Sequence, residues 1–419
     1  MKVLALGGIG DMGRIAVISL LPSPKVSAIT IADKNIGMAE VFVELVGSNK
    51  LSAVEIDVKD QEELVDLISH HDIVLNTVGP FLKFGKRIVE ATIRAKKHYV
   101  DICDDWKPTL EILDELDGRA KEAGITALIG IGASPGLTNL MAVLASSKLD
   151  QVDELVTAWG IGSEKLNKKP PPFFVSIKKI AEKYKARPEV ASAPPSPRAN
   201  AAILHLLHES IGKIPTFRNG KLIEIGALTD AAPIEFPGMK KFYSCYIGHP
   251  EPVTLPRTIK AKAISNQMFL TQGVTKLLRD YAKRISENQL SMTEAAISID
   301  KFLGKFTTQL RLFFILLARF FKVPPTLCAI ATGMKDGKRK RIAVGLKRYP
   351  FGEVIDGMDG MTAVPMVIAA LMVIEGKMRP GVQPPEAAID PEEFFKRYAP
   401  YCGDRLGIND VLIVKEVDL

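Results

Sequence analysis

The sequence predicts an α/β protein that opens with a doubly wound parallel sheet and continues into an α+β domain. Three observations carry this reading. Residues 3–13 are an apolar run entering Gly8-x-Gly10-x-x-Gly13. From residue 1 to about 135, strand-like and helix-like segments alternate. From 150 to 350 that alternation gives way to strands scattered among helices and a proline-rich connection, Lys168 to Phe174 and Ala193 to Pro197.

The first strand, Val3 to Leu6, is apolar throughout, as a strand buried on both faces must be. Gly8 is read as the residue of the tight turn and Gly10 as the one that lets backbone approach a pyrophosphate. Gly13 allows close packing of the following helix, whose first amides face the phosphates. This is the dinucleotide-binding fingerprint, and its context supports it: a helical pattern follows (Ile15, Val17, Ile18, Leu20, Leu21), then a second strand ending at Asp33. Gly8, Ile9, Gly10, Asp11, Met12 and Gly13 are therefore the expected cofactor loop. Asp33 sits where a carboxylate accepts hydrogen bonds from the adenosine ribose, which favours NAD. Lys34 offsets part of the repulsion toward a 2′-phosphate, so NADP is the alternative. Asp57, at the expected end of the third strand, is read either as lining the adenine site or as capping the helix near Gln61.

Strands are expected at 2–6, 28–32, 53–57, 73–76, 98–101 and 125–130, with helices near 11–21, 37–47, 61–69, 84–96 and 109–123. Later strands are expected at 152–161, 241–247 and 258–264. A hairpin is expected at Thr326 to Met334 and Arg339 to Leu346, turned at Asp336-Gly337. Its basic run, Lys335 to Arg341, reads as a solvated face. A long apolar helix, Ala363 to Ile374, returns to the first domain.

Composition excludes several classes. With 419 residues, 47% hydrophobic and 25% charged, the chain is an ordinary globular protein with room for more than one domain. Cys103, Cys245, Cys328 and Cys402 are scattered, with no pair spaced for a disulfide framework or zinc, so no metal is expected and a reducing cytoplasm is. The N-terminus runs straight into a strand, leaving no room for a signal peptide. A net charge of +7 without an aromatic–basic module argues for anionic small molecules rather than nucleic acid. Residues 302–323 are greasy, but Arg311 and Arg319 leave only seven apolar residues between them, too few for a membrane span. That stretch is read as a buried or interface helix, with a helix lying on an anionic membrane as the less favoured alternative.

Four further segments carry a family resemblance: Asn76-Thr-Val-Gly-Pro-Phe81, His98-Tyr-Val-Asp101, Ser134-Pro-Gly-Leu-Thr-Asn139 and Gly248-His-Pro-Glu-Pro-Val-Thr-Leu-Pro-Arg257. With the fingerprint and Gly381-Val-Gln-Pro-Pro-Glu386, they make the chain resemble the saccharopine dehydrogenase-like oxidoreductases, which include saccharopine reductases and lysine 6-dehydrogenases. The resemblance implies a Rossmann domain over 1–135 completed by a helix within 358–380. It also implies an α+β substrate and dimerisation domain with a mixed sheet over 136–357, and a C-terminal segment, 381–419, packing on both. It implies a homodimer, and hydride exchange between nicotinamide and the C–N carbon of an amine or imine on a lysine-related amino acid. Two departures border the nicotinamide and substrate: Ile102-Cys-Asp-Asp-Trp106 stands where many relatives carry Gly-Glu, and Gly-Pro-Phe replaces a Pro-Tyr motif.

Such chemistry asks the protein to hold carbon against ring, keep the amine unprotonated and relay a proton. Asn76, Thr77, Val78, Gly79 and Pro80 are the expected loop under the pyrophosphate and nicotinamide ribose. Acid–base candidates are Tyr99, Asp101, Cys103, Asp104 and Asp105 at the carboxyl end of the fifth strand, where ligands bind in such sheets. Tyr99, Asp101 and Cys103 share a face, and Asp101 is the first choice, with capping of a helix at Pro108 as a structural alternative. Ser134 reads as a helix cap with Pro135 in the first turn, so that Pro135 and Gly136 meet the cofactor. In the second domain His249, able to titrate near neutrality, joins the acid–base candidates. Arg257 (a carboxylate fork), Glu251, Arg198 and Asp104 are the substrate candidates, with Thr254 in the same proline-punctuated loop as Glu251 and Arg257. Two other readings stand beside the amine oxidoreductase: a reductase of a C=C or C=O bond in a larger apolar substrate at a membrane surface, and a non-catalytic dinucleotide-binding scaffold.

Overall fold

The computed structural model describes residues 1–160, 201–304, 322–350 and 359–419, with 180, 183, 184, 186, 187 and 190 besides. The proline-rich stretches, Arg198 and most of the stretch 302–322, expected from the sequence to be a helix, lie outside the described residues. Two compact units divide the chain: Met1–Gly136 with the described residues of Asn167–Pro195 and Tyr349–Gly407, and Leu137–Leu166, Ser196–Arg348 and Ile408–Leu419, again as described.

In the first unit, strands β1 (Lys2–Leu6), β2 (Ala28–Asp33), β3 (Leu51–Glu55), β4 (Ile73–Asn76), β5 (His98–Asp101) and β6 (Thr126–Leu128) alternate with helices α1 (Asp11–Leu20), α2 (Ile36–Val46), α3 (Gln61–Ser69), α4 (Phe81–Arg94) and α5 (Trp106–Glu122). The strands make a parallel sheet in the order β6-β5-β4-β1-β2-β3, to which Gly381–Gln383 adds a seventh, parallel strand beside β6. Order reverses at β1 and β4, the crevice where such sheets bind ligands. The helix Asp359–Ile374 belongs to this unit and packs on α1, β4 and β5. Its residues Ala363 to Ala370 are all buried, which is why it reads as apolar all round.

Several boundaries differ from the sequence expectation, each for a local reason. β3 ends at Glu55, paired with Asp33, so Asp57 lies in the following turn. Asp60, not Asp57, caps α3 by accepting from the Glu63 amide at 3.1 Å. α4 starts at Phe81 because Pro80 takes the capping position. α5 starts at Trp106, ahead of Pro108. The strand at 381–383 is three residues long, too short for a periodic signal. It is placed by Asp117 of α5, which accepts from the Val382 amide at 3.0 Å. Gly381 (φ 125°) leaves no room for a Cβ, which would meet that same carboxylate at 2.6 Å.

The second unit is built on a mixed sheet. β7 (Gln151–Gly160) lies parallel to a long strand at Ala261–Phe269 and antiparallel to Leu327–Lys335, which forms a hairpin with Lys338–Leu346. Two additions escaped the sequence reading: a hairpin at Lys213–Arg218 and Lys221–Gly226, and the C-terminal strand Leu412–Asp418, which covers the edge of Lys338–Leu346. The expected strand at 241–247 shrinks to Cys245–Tyr246. The strand expected at 258–264 starts only at Ala261, because a 3-10 turn, Leu255–Arg257, draws the Thr258 and Ile259 amides back to Leu255. Helix α6 (Leu137–Ser146) packs on β7 and on both hairpin strands, and α7 (Ala201–Glu209) follows later in the chain. Among the described residues no helix is long and apolar enough to cross a membrane.

Candidate functional site

The glycine loop between β1 and α1 has the geometry a pyrophosphate requires, with one reassignment. Gly7, not Gly8, holds the left-handed conformation (φ 72°) that makes the turn. Gly8 is confined by contact instead, since a Cβ there would sit 3.0 Å from Ile31 and 3.1 Å from the Ala5 carbonyl. A Cβ on Gly13 would lie 2.4 Å from the Gly7 oxygen and 2.7 Å from Gly8 Cα, so only glycine lets α1 come this close to the loop. Around Gly10 the space is open except for the Gly7 oxygen, and around Gly79 nothing lies within 4 Å. These two open faces are cradles that a side chain would fill, and the loop fits a dinucleotide. Ile9, Asp11 and Met12 complete it. Arg14 donates to the Ile9 carbonyl and to Asp11.

At the end of β2, Asp33 accepts from the Asn35 amide at 3.1 Å, the turn role open to it from the sequence. Lys34 pairs with Asp57 at 3.3 Å, and Asp57 also accepts from the Lys59 amide at 3.1 Å. That amide, ahead of Lys34, holds the Asp57 carboxyl below its ordinary range.

The loop after β4 is anchored from below. Thr77 Oγ1 donates toward the carbonyls of Leu6 and Gly7, both at 3.0 Å. Asn76 accepts from the Val78 amide at 2.9 Å and donates to the Tyr99 hydroxyl at 2.8 Å. Tyr99 in turn donates to Asp101 at 2.8 Å, and the other carboxylate oxygen accepts from the amides of Cys103 (3.0 Å) and Gly130 (2.7 Å). Asn76, Tyr99 and Asp101 are fully buried. Burial pushes Asp101 up to about 6 despite the three donors and drives the Tyr99 phenol and Cys103 thiol well above their usual ranges. Cys103 is therefore a neutral thiol, packed against Thr109 and the Asp105 carbonyl. Asp105, the residue before α5, sends its carboxylate to the Leu82 amide at 3.2 Å, capping α4 rather than its own helix. Asp104 is half-buried beside it.

Ser134 and Pro135 do not begin a helix. The Gly132 amide donates to the Pro135 carbonyl at 2.9 Å, closing a small loop, and α6 starts at Leu137. Gly136, at φ 119°, could not carry a Cβ, which would strike the Gly132 oxygen at 2.2 Å.

The second unit holds a buried cluster of its own. His249 Nε2 lies 2.7 Å from Glu209 Oε1, and Nδ1 lies 3.4 Å from Glu251 Oε2. The side chains of the three residues are at most 5% exposed. His205 Nε2 reaches Glu209 Oε1 at 2.8 Å, and the Trp159 ring lies 5.7 Å from that of His249. Glu251 Oε1 accepts from Thr138 and Asn266, each at 2.9 Å, while Asn139 donates to Thr254 at 3.3 Å. Burial works against the charged imidazole, but the carboxylates of Glu209 and Glu251 overcome it and push His249 up to about 10. The expectation of titration near neutrality is corrected: two buried acids flank the ring. Ligand atoms of His205, Glu209 and His249 come within 4.8 Å of one another. Metal ligation needs a neutral imidazole, so hydrogen bonding is the better account of that spacing. Glu251 and Thr254 are helical and buried rather than in a loop, and Arg257 is exposed at the end of the 3-10 turn. Glu209, His205, Trp159 and Asn266 were missed in the sequence. The available signal was His205 and Glu209 at i,i+4, one face of an apolar helix.

Two outcomes are expected. Asp101→Ala strands two amides and a hydroxyl, and lowers unfolding free energy by on the order of 3 kcal/mol in urea titration, while Asp101→Asn costs less. Because the folded pKa of Asp101 is raised to about 6, the folded state binds its proton more tightly than the unfolded chain. Wild-type stability relative to Asp101→Asn therefore falls as pH rises from about 4 to about 6. His249 should show an imidazolium spectrum by NMR throughout the neutral range. Its stabilisation is complete below about 6.5 and fades as pH climbs toward about 10, and Glu209→Gln lowers that midpoint. A neutral ring at pH 7 in the wild-type protein contradicts the assignment.

Comparison with known proteins finds a family match for the first part of the chain. Residues 3–128 match the saccharopine dehydrogenase NADP-binding domain. A carboxynorspermidine synthase of Vibrio cholerae is 29% identical over 175 residues, 37% of this chain and 42% of that protein. A saccharopine dehydrogenase [NADP(+), L-glutamate-forming] of Pyricularia oryzae is 31% identical over 120 residues, 27% of this chain and 25% of the relative. These matches thus span less than half of the relatives' lengths. The fold extends further. Saccharopine dehydrogenase (L-Glu forming) from Saccharomyces cerevisiae superimposes over 99% of each chain, with TM-score 0.59 and 16% identity. The homospermidine synthase of Legionella pneumophila, solved with NAD, covers 100% of this chain and 91% of its own at TM-score 0.57 and 12% identity. The glycine loop, its open cradles and these matches agree: the chain binds NAD(P), its residues 3–128 match a saccharopine dehydrogenase NADP-binding domain, and its fold is similar to that of saccharopine dehydrogenase.

Proposed function

We propose that the protein exchanges hydride between nicotinamide and the C–N carbon of an amine or imine whose substrate carries an ammonium group. The observation that carries this reading is the buried Glu209–His249–Glu251 cluster. Two carboxylates around one imidazolium leave an excess negative charge, which favours a cationic partner. Trp159, beside the imidazole, supplies an aromatic face of the kind that binds ammonium. The relatives named above are called after saccharopine, carboxynorspermidine and homospermidine. All three compounds are secondary amines, so the shared chemistry is C–N bond oxidation or reduction. A lysine-related amino acid remains the first substrate class, and a carboxylated polyamine satisfies the same charge pattern.

The residues divide the work. Gly8 to Gly13 and Asn76 to Pro80 hold the dinucleotide, with Asp33 and Lys34 at the adenosine ribose and Pro135 and Gly136 beyond β6. When bound, the nicotinamide supplies the hydride acceptor or donor. Tyr99 and Asp101 are positioning residues, and Cys103 packs beneath them. The substrate ammonium gives its proton to the Glu209 carboxylate, which leaves the amine neutral for hydride transfer, while His249 stays an imidazolium held by Glu251 through Nδ1. Arg257, Arg198 and Asp104 remain candidates for the substrate carboxylates and polar groups. The stretch 302–322 that motivates the membrane-surface reading lies for the most part outside the described residues.

The test is reduction of NAD(P), followed at about 340 nm, with saccharopine, lysine and carboxylated polyamines as substrates. Glu209→Gln should lower kcat/KM by about 100-fold, the scale of one acid–base group, with NAD(P) affinity within about twofold of wild type. A protein that binds NAD(P) yet turns over none of these amines contradicts the reading and favours a scaffold.

A further inference from the structure

A proton that Glu209 takes from the substrate needs a way out of the buried cluster. The Glu209 side chain is 3% exposed, so its carboxylate is poorly placed to trade protons with bulk water. Among the described residues, two ionisable side chains lie within ion-pair distance of it, and both meet Oε1. One is His249, at 2.7 Å and 5% exposed. With Glu251 on its other side, that ring keeps both of its protons through the neutral range and has no nitrogen left to accept a third. The other is His205, whose Nε2 lies 2.8 Å from the same oxygen and whose side chain is 18% exposed.

The helix itself makes this pair. α7 sets His205 and Glu209 four residues apart, neighbours on one face. Its apolar residues Ile203 and Leu207 join a core cluster with Leu278 and Ile299, which anchors the helix. The His205 ring stands across that of His249, with centroids 6.0 Å apart at 72°. The three side chains thus run from buried His249 through buried Glu209 to half-buried His205. An imidazole takes a proton on one nitrogen and gives one up from the other, and does so near neutrality. A histidine present only to hold Glu209 would repeat what His249 already does at the same oxygen.

We propose that His205 relays protons between Glu209 and solvent. The relay rests on the amine oxidoreductase reading of the cluster and deepens it by giving the proton a route. In amine oxidation, an N–H bond of the substrate ammonium breaks and an O–H bond forms on Glu209. That O–H bond then breaks as the proton passes to His205 Nε2, and the imidazolium so formed gives a proton to water. Glu209 is again a carboxylate, and no electrons are exchanged in these steps. In imine reduction the path runs inward, and Glu209 delivers the proton to the product nitrogen. His205 acts through Glu209 and is a positioning residue for the proton, not for the hydride.

The experiment uses the full chain with NAD(P) and an amine that the wild type oxidises, in dilute buffer, followed at about 340 nm by stopped flow and in the steady state. His205→Ala, His205→Gln and the control His208→Ala, an exposed histidine of the same helix, are compared. In both His205 variants the first turnover should stay within about twofold of wild type, because Glu209 starts as a carboxylate. Steady-state kcat should then fall by about 100-fold, with KM within about twofold. His205→Gln keeps a polar side chain beside Glu209, and so tests proton transfer in an intact cluster. Added imidazole should restore the steady-state rate of His205→Ala along a saturating curve, and His208→Ala should match wild type throughout. The relay is overturned if both His205 variants keep wild-type steady-state rates. It is equally overturned if the first turnover falls as far as the steady state and imidazole restores nothing, the mark of a structural role. A wild-type chain that binds NAD(P) and oxidises no amine overturns the amine reading and the relay with it, an outcome distinct from active wild type with unimpaired variants.

Discussion

A single buried carboxylate holds together the segments from which the cofactor loops of the first unit emerge. Asp101 ends β5, reaches β4 through the Tyr99 hydroxyl and Asn76, and reaches the chain beyond β6 through the Gly130 amide. Each link satisfies a polar group that burial would otherwise leave stranded at a cost of about 1–3 kcal/mol. The network therefore fixes three strand ends relative to one another. Asn76 carries that order into the Val78 amide, and hence into the open face at Gly79. An acid–base group must present an atom to substrate, whereas Asp101 commits both oxygens to its own backbone and to Tyr99. In this structure it is an anchor between strand ends.

The second unit solves a different electrostatic problem with similar parts. An imidazole enclosed by apolar walls would be neutral, but Glu209 and Glu251 on either side make the cation the stable form. Thr138 and Asn266 satisfy the outer oxygen of Glu251, so that carboxylate is oriented by α6 and by the strand Ala261–Phe269. Buried charge of this kind is costly unless paired. The pairing here leaves a net acid rather than a neutral set, a poor choice for stability and a good one for receiving an ammonium group.

Much of the first unit was legible because its signals are local. The glycine spacing, the alternation of apolar strands with amphipathic helices, and the acid after β2 are each set within a few residues. Where local signals compete, the reading slipped. Asp57 and Asp60 are both plausible caps, and only the register of β3 against β2 decides between them. Gly7 and Gly8 are adjacent, and the turn falls on the one beside Thr77, which is distant in sequence. The second unit was less legible for the same reason carried further. Its sheet is assembled from strands separated by up to a hundred residues or more, such as β7 with Leu327–Lys335. His249 was visible in its motif, but its charge state depends on Glu209, forty residues earlier on α7. Nothing in the motif foretells a partner supplied by the fold.

The central claim is that hydride passes to or from a carbon bonded to nitrogen. The direct measurement is transfer from nicotinamide deuterated at C4 to an imine formed from an amine and a carbonyl compound in the presence of the protein, with the product examined by mass spectrometry and NMR. The account predicts one deuterium per turnover, on the carbon attached to nitrogen. Deuterium on a carbon not bonded to nitrogen, or an unlabelled product with the cofactor bound, contradicts it.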